Sequence, residues 1–146
     1  LRGYFEQHHV PHRVLTVDSW LDCATIEKHE RTPEENVTVY QECCAKNMLS
    51  LSDGKLFRCP FAANADRLAA VPDIPGDYVD LLSRKHATDD NALRREITDY
   101  VLNKDYLEIC DYCKGRPLSG DEVTPAVQTA KPLAYFKHGR PEACHD

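Results

Sequence analysis

The chain has 146 residues, a formal net charge of -6 and 29% charged residues. That length supports one ordinary domain with a sizeable core, or a domain plus a fragment of another. The acidic balance argues against a general nucleic-acid binder, whose binding face would be basic, and no apolar run approaches the roughly 20 residues that cross a bilayer.

No basic, apolar and small-residue pattern opens the chain as a signal peptide would, so the sequence reads as soluble and cytoplasmic. Its seven cysteines are an odd number. In a reducing compartment, clustered cysteines are more often metal ligands than disulfides.

Residues 1–10, with Tyr4 and Phe5 as aromatic anchors and Pro11 as a stop, read as a helix end. Residues 12–17 alternate polar and apolar side chains with β-branched enrichment, which predicts a strand. Helix, proline and strand together look like the last unit of an α/β arrangement. The start at Leu1 rather than Met suggests a processed chain or a piece of something larger. Trp20, the only tryptophan, is expected as a packing anchor at a domain junction. Cys23 follows in a loop-like context and reads as a small buried residue.

Thr32-Pro33-Glu34-Glu35 is a strong helix start, with a capping threonine, proline at the first helical position and a glutamate three residues after the cap. The helix is predicted to run to about Lys46, with Val37, Tyr40 and Cys44 on one face, and so to deliver Cys43 and Cys44 at its end. Residues 48–51 and 55–58 flank Asp53-Gly54, the sequence signal of a β-hairpin. Cys59-Pro60 ends the second arm, because proline cannot continue the ladder. Residues 62–70 predict a short helix stopped by Val71-Pro72, residues 72–76 a turn, and residues 77–82 are too short to assign. Thr88 or Asp89 caps a helix from about 90 to 103 with an apolar stripe of Leu93, Ile97, Val101 and Leu102. Residues 106–109 lead into Cys110. After Cys113 the chain is turn-rich to Gly120, and the remainder reads as a tail draped over the domain or partly disordered.

The residues that carry chemistry are Cys44-x9-Gly54-x4-Cys59 and Cys110-x2-Cys113. A C-x2-C turn sets two thiolates on one side of a loop, and a hairpin around Gly54 brings two more together from its arms. Four soft sulfur ligands then suit a zinc ion or an iron-sulfur cluster. Zinc ribbons present two C-x2-C knuckles, whereas here only the second pair has that spacing, so a wide pair plus a narrow pair favours a cluster. Cys43 and Cys44 point different ways at a helix end, so one of them ligates, and spacing leaves open which. Lys46, Lys55, Arg58, Lys114 and Arg116 flank the cysteines and could offset thiolate charge. Cys144-His145 reads as an exposed pair in the tail, and nothing sets a geometry for a nucleophilic Cys23 with His29.

These spacings resemble the auxiliary-cluster region of radical S-adenosylmethionine enzymes, called SPASM in its full form and twitch in its shortened form. The phrases Asp53-Gly-Lys-Leu-Phe-Arg-Cys-Pro60 and Asp77-Tyr-Val-Asp-Leu81 are also similar to members of that superfamily, and the likeness spans roughly residues 14–128. The full form continues after its C-x2-C with two further cysteines. Here only Cys144 follows, which fits the single-cluster form. The C-x3-C-x2-C motif of the cluster that cleaves S-adenosylmethionine is absent from the chain.

The resemblance implies an α+β fold: the end of a partial α/β barrel over residues 1–25, an auxiliary cluster domain with a hairpin and several helices over 26–130, and an irregular tail over 131–146. It implies one 4Fe-4S cluster on Cys59, Cys110 and Cys113, with Cys44 or Cys43 as the fourth ligand. Its partners would be a preceding radical S-adenosylmethionine barrel and a peptide or small-molecule substrate, with no nucleic acid and no membrane. The cluster would assist substrate binding or electron transfer, S-adenosylmethionine would belong to the parent enzyme, and this chain alone would catalyse nothing. The alternative is a structural zinc module, in which the same four cysteines hold a surface for a protein partner.

Overall fold

The first helix, α1 (Arg2–Gln7), stands where Tyr4 and Phe5 predict one. The computed structural model describes residues 1–15, 19–83, 89–124, 130–131 and 134–139. Residues 12–15 form no strand, and residues 16 and 17 of that predicted element lie outside the described residues. Alternation specifies a strand only when another strand supplies the ladder, and Val14 and Leu15 are exposed instead. Pairing begins later, at β1 (Trp20–Leu21), and Trp20 is 53% exposed rather than a buried anchor.

Helix α2 (Pro33–Glu42) opens with the predicted capping box: Glu35 N–H donates to Thr32 Oγ1 at 3.3 Å, and Thr32 N–H donates to Glu35 Oε2 at 2.7 Å. The hairpin follows as β2 (Ser50–Ser52) and β3 (Lys55–Phe57), with Ser50 opposite Phe57 and Leu51 opposite Leu56. Asp53 at φ 48° and Gly54 at φ 76° are the two left-handed residues that a tight two-residue hairpin turn requires. Helix α3 (Pro60–Arg67) packs across this hairpin. Its small Ala62, Ala63 and Ala65 are all buried and allow a close approach to the sheet. The unassigned stretch after Gly76 supplies β4 (Val79–Asp80), which pairs antiparallel with β3 and completes a three-stranded meander.

Helix α4 (Asp90–Leu102) is capped by Asp89, whose carboxylate accepts from Asn91 and Ala92 N–H. Thr88, the other cap considered, lies outside the described residues. Leu93, Ile97 and Val101 pack on the core as predicted, but Leu102 is 72% exposed and the buried residue is Tyr100. Helical spacing explains the exchange, since Tyr100 follows Ile97 by three and Leu102 by five. Strand β5 (Glu122–Val123) pairs with β1, a closure that the turn-rich sequence does not announce. The described tail residues drape over the end of α3, with Tyr135 Oη donating to Leu68 O and His138 N–H to Ala69 O. Helices on small antiparallel sheets make the fold α+β. Among the described residues no helix is long and apolar enough to cross a membrane.

The core centres on Phe57, Val71, Val79 and Leu107, which are all but fully enclosed. Against it sits a carboxylate that is almost fully enclosed. Asp77 ends a 3-10 turn (Pro75–Asp77) and accepts from Glu108 N–H at 3.0 Å, Ile109 N–H at 2.6 Å and Lys104 Nζ at 2.9 Å. It thereby anchors the start of a second 3-10 turn (Glu108–Tyr112) that contains Cys110. Tyr100 Oη completes the tie, accepting from Arg58 N–H at 3.0 Å and donating to Asp77 O at 2.5 Å.

Two outcomes follow from these contacts. Asp77→Ala strands two backbone donors and a lysine, and is expected to lower unfolding free energy by about 3 kcal/mol in urea titration, with Asp77→Asn losing less. Gly54→Ala must hold a left-handed φ and sets a Cβ hard against Leu82 Cδ1. Because Leu82 is exposed and can move, the backbone term decides, and the expected loss is about 1 kcal/mol by the same measurement.

Candidate functional site: a cysteine-lined cavity

Three separate segments carry cysteines to one place. Helix α2 stops at Glu42, four residues short of the predicted end, because Cys43 is extended (φ -73°, ψ 122°) and the chain turns. Cys44 N–H donates to Arg116 O at 3.0 Å instead of to a carbonyl of its own helix, and Asn47 at φ 66° closes the turn. The turn sends the adjacent cysteines opposite ways: Cys43 lines a cavity, while Cys44, from which the C-x9-G-x4-C spacing is counted, is exposed and does not. Cys59 arrives extended at the end of β3 and occupies the cap position of α3, with Pro60 as the first helical residue. Cys110 lies within the second 3-10 turn and Cys113 follows it directly.

Cys43, Cys59, Cys110 and Cys113 therefore line one cavity of about 30 Å3, closed otherwise by Val39, Tyr40, Phe61, Leu107, Ile109, Gly115 and the side chain of Lys46. Gly115 holds φ 79°, and a Cβ there would stand 3.0 Å from Val39 Cγ1, so this wall is built on glycine. Among the described residues, no three His, Cys, Asp or Glu side chains are gathered tightly enough to hold a metal ion. The sulfurs surround the cavity rather than meet at a point. All six described cysteines are free thiols.

Burial is the main force on these thiols. It raises Cys59 above its ordinary range and pushes Cys110 and Cys113 up to about 12. Backbone hydrogen bonds pull the other way: Phe61 and Ala62 at the Cys59 sulfur, Leu107 at Cys110 and Gly115 at Cys113. Repulsion, from Asp77 first at Cys110 and otherwise among the sulfurs, adds a smaller upward push. Cys23 takes part in it, acting on both Cys59 and Cys113. The Cys113 thiol donates to Cys23 O at 3.3 Å, and Lys114 N–H donates to the same carbonyl at 2.8 Å. Cys23 thus borders the group without belonging to either motif, half-buried rather than the small buried residue that its sequence context suggests.

Two guanidinium groups flank the cysteine-bearing segments without a carboxylate partner among the described residues. Arg31, which the motif spacing did not mark, donates through Nη1 to Cys110 O and Cys113 O at 2.9 Å each, clamping the C-x2-C loop. Arg58 is 4% exposed and stacks 5.2 Å over the ring of Tyr40, a wall of the cavity. It donates to Tyr100 O, Lys104 O and Asn47 Oδ1, all neutral acceptors, and its Nε has no partner. By contrast Lys55 is matched by Asp66 at 3.1 Å and Lys114 by Asp22 at 2.5 Å. His29 Nε2 lies 3.0 Å from Thr25 Oγ1 and makes no hydrogen bond to Cys23 among the described residues, while Cys144 and His145 lie outside them.

The raised thiols fix the sign of a pH dependence. Above about pH 9 the cysteines of an unfolded chain ionise, whereas Cys110 and Cys113 keep their protons in the fold until about pH 12. The unfolded state then binds fewer protons, so their stabilising effect is intact below pH 9 and declines as pH rises towards 12. The expected slope is of order 1.4 kcal/mol per pH unit for each thiol. Urea unfolding of the metal-free chain across that range should show it, and a Cys110→Ala, Cys113→Ala double variant should show a markedly shallower fall.

Comparison with protein-family models, curated proteins and solved structures returned no match.

Proposed function

We propose that the chain is an auxiliary iron-sulfur domain of a radical S-adenosylmethionine enzyme, holding one 4Fe-4S cluster through Cys43, Cys59, Cys110 and Cys113. The observation that carries the reading is the gathering of these four thiols, from segments far apart in sequence, around one apolar cavity. The donor set fits such a group, because thiolates are its usual ligands and amide N–H donors to sulfur tune its potential. Arg31 and Arg58 add positive charge beside a site that four thiolates would make anionic. A cavity of about 30 Å3 has room for roughly two waters by the volume a probe sphere needs, so loading would displace its walls.

When bound, the cluster would supply one-electron transfer or a site for a substrate group, and the bond-breaking chemistry would belong to the parent enzyme's barrel. This chain's own residues do four things. Tyr40, Phe61, Leu107 and Ile109 exclude water, the backbone amides orient the sulfurs, Arg31 fixes the loop between Cys110 and Cys113, and Asp77 anchors the turn that carries it. Binding requires the thiols to be deprotonated, so loading releases protons and weakens as pH falls.

Anaerobic reconstitution with iron and sulfide tests the reading. A broad sulfur-to-iron charge-transfer absorption is expected in the wild type and in Cys44→Ser, and its loss in Cys43→Ser, Cys59→Ser, Cys110→Ser and Cys113→Ser. A colourless sample, or absorption that depends on Cys44 rather than Cys43, would count against it. Stoichiometric zinc with no iron uptake would transfer the same four cysteines to a structural zinc module.

A further inference from the structure

One thiol beside the cysteine cavity has no part in the proposed ligand set. Cys23 is half-buried and lines a second, open pocket of about 450 Å3 with Ser19, Trp20, Leu21 and Arg116. Its backbone lies along the C-x2-C loop. Cys23 O accepts from Cys113 Sγ at 3.3 Å and from Lys114 N–H at 2.8 Å, and Ile26 N–H donates to Tyr112 O at 3.0 Å. Chains joined by such bonds lie roughly 5 Å apart, inside the roughly 4.4–6.8 Å between Cα atoms that a disulfide spans. The two sulfurs also feel one another: of the three that push the Cys113 thiol up, Cys23 acts more strongly than Cys59 or Cys43.

We infer that Cys23 is an oxidant-receiving thiol, and that in the metal-free chain a hydroperoxide entering this pocket links it to Cys113. The Cys23 sulfur attacks the O–O bond, becoming a sulfenic acid while the second oxygen leaves as water or an alcohol. Cys113 then attacks that sulfur, the S–S bond forms, and the displaced hydroxyl departs with the Cys113 proton as water. Two thiols lose one electron each, and one peroxide gains both. Exposure divides the roles. The pocket at Cys23 admits a peroxide, and Arg116 offers N–H donors there to the leaving oxygen, whereas Cys113 lines a cavity of about 30 Å3 with apolar walls. The bridge removes one of the four sulfurs that a metal needs, so it also closes the site to loading. That second consequence rests on the proposed function; the bridge itself does not.

The test oxidises the full metal-free chain with hydrogen peroxide, in a Cys44→Ser background that removes the exposed thiol, and maps the bridges by mass spectrometry without reduction. Digestion includes a protease that cuts before aspartate, so that Cys110 and Cys113 fall on separate peptides on either side of the cut at Asp111. A Cys23 to Cys113 bridge is expected as the main product, reversed by a phosphine reductant. Cys23→Ser should abolish it and slow the loss of the Cys113 thiol at least about tenfold. Zinc uptake should fall at least about tenfold on oxidation and return on reduction, while the Cys23→Ser chain treated alike keeps its uptake. If Cys23→Ser does not fold, Cys23→Ala takes its place. A Cys110 to Cys113 bridge as the main product, no bridge at all, or equally fast oxidation of Cys113 without Cys23 would overturn the inference, and a bridged chain that still takes up zinc would overturn the closure. Refusal of both zinc and iron by the reduced chain would sink the proposed function and leave the bridge standing.

Discussion

The carboxylate of Asp77 is the contact on which the rest of this small fold depends. It is enclosed by the core, yet carries the donors that make a buried carboxylate tolerable: two backbone amides and a lysine. The two amides come from the start of the second 3-10 turn, the lysine from the chain just after α4, and the Asp77 carbonyl is held by Tyr100 from α4. The same tyrosine hydroxyl accepts from Arg58 at the end of β3. One hydrogen-bonded chain therefore joins the sheet, the long helix and the turn that bears Cys110. A short turn of poor intrinsic stability is fixed in place by a tertiary contact.

Fixing that turn creates an electrostatic tension around the thiols. The cavity walls are apolar, which disfavours thiolate, and neighbouring sulfurs raise one another further. Backbone amide donors oppose this without cancelling it in the metal-free chain. Of the two guanidinium groups, Arg58 is the more telling. A guanidinium buried among neutral acceptors is an expensive arrangement unless negative charge is available nearby, and the groups at hand that could supply it are the cysteines around Tyr40. On the proposed reading the arginine is already in place for a site whose charge appears only on loading.

Local signals in the sequence were legible where chemistry is local. The capping box of α2, the Asp53-Gly54 hairpin and the Asp89 cap of α4 each depend on residues within one turn of chain. What escaped was set by long-range partners. The predicted strand at residues 12–17 had the right pattern but, over residues 12–15, no ladder to join, whereas Val123 had little pattern and found Trp20. Cys43 and Cys44 could not be separated by spacing, because the choice rests on a bond from Cys44 to Arg116, far along the chain. Arg31 was invisible, and Cys23 was read only as a small buried residue, for the same reason, as both meet the C-x2-C loop only after the segment before α2 is laid along it.

That segment also decides how two cavities share one turn, one lined by Cys110 and the other, a separate pocket, by Asp111. Ile26 N–H donates to Tyr112 O, His29 N–H to Asp111 O, and Arg31 binds Asp111 with its backbone and the two cysteine carbonyls with its side chain. Residues 110 and 111 are adjacent, so they cannot both face the cavity. The 3-10 geometry separates them, giving the sulfur to the apolar side and the carboxylate to the pocket side. Arg31 touches both and holds the division. A carboxylate on the cysteine side would disfavour thiolate further in a cavity whose apolar walls already do so. The placement of acid and sulfur on opposite faces of five residues is thus what allows each face its own chemistry.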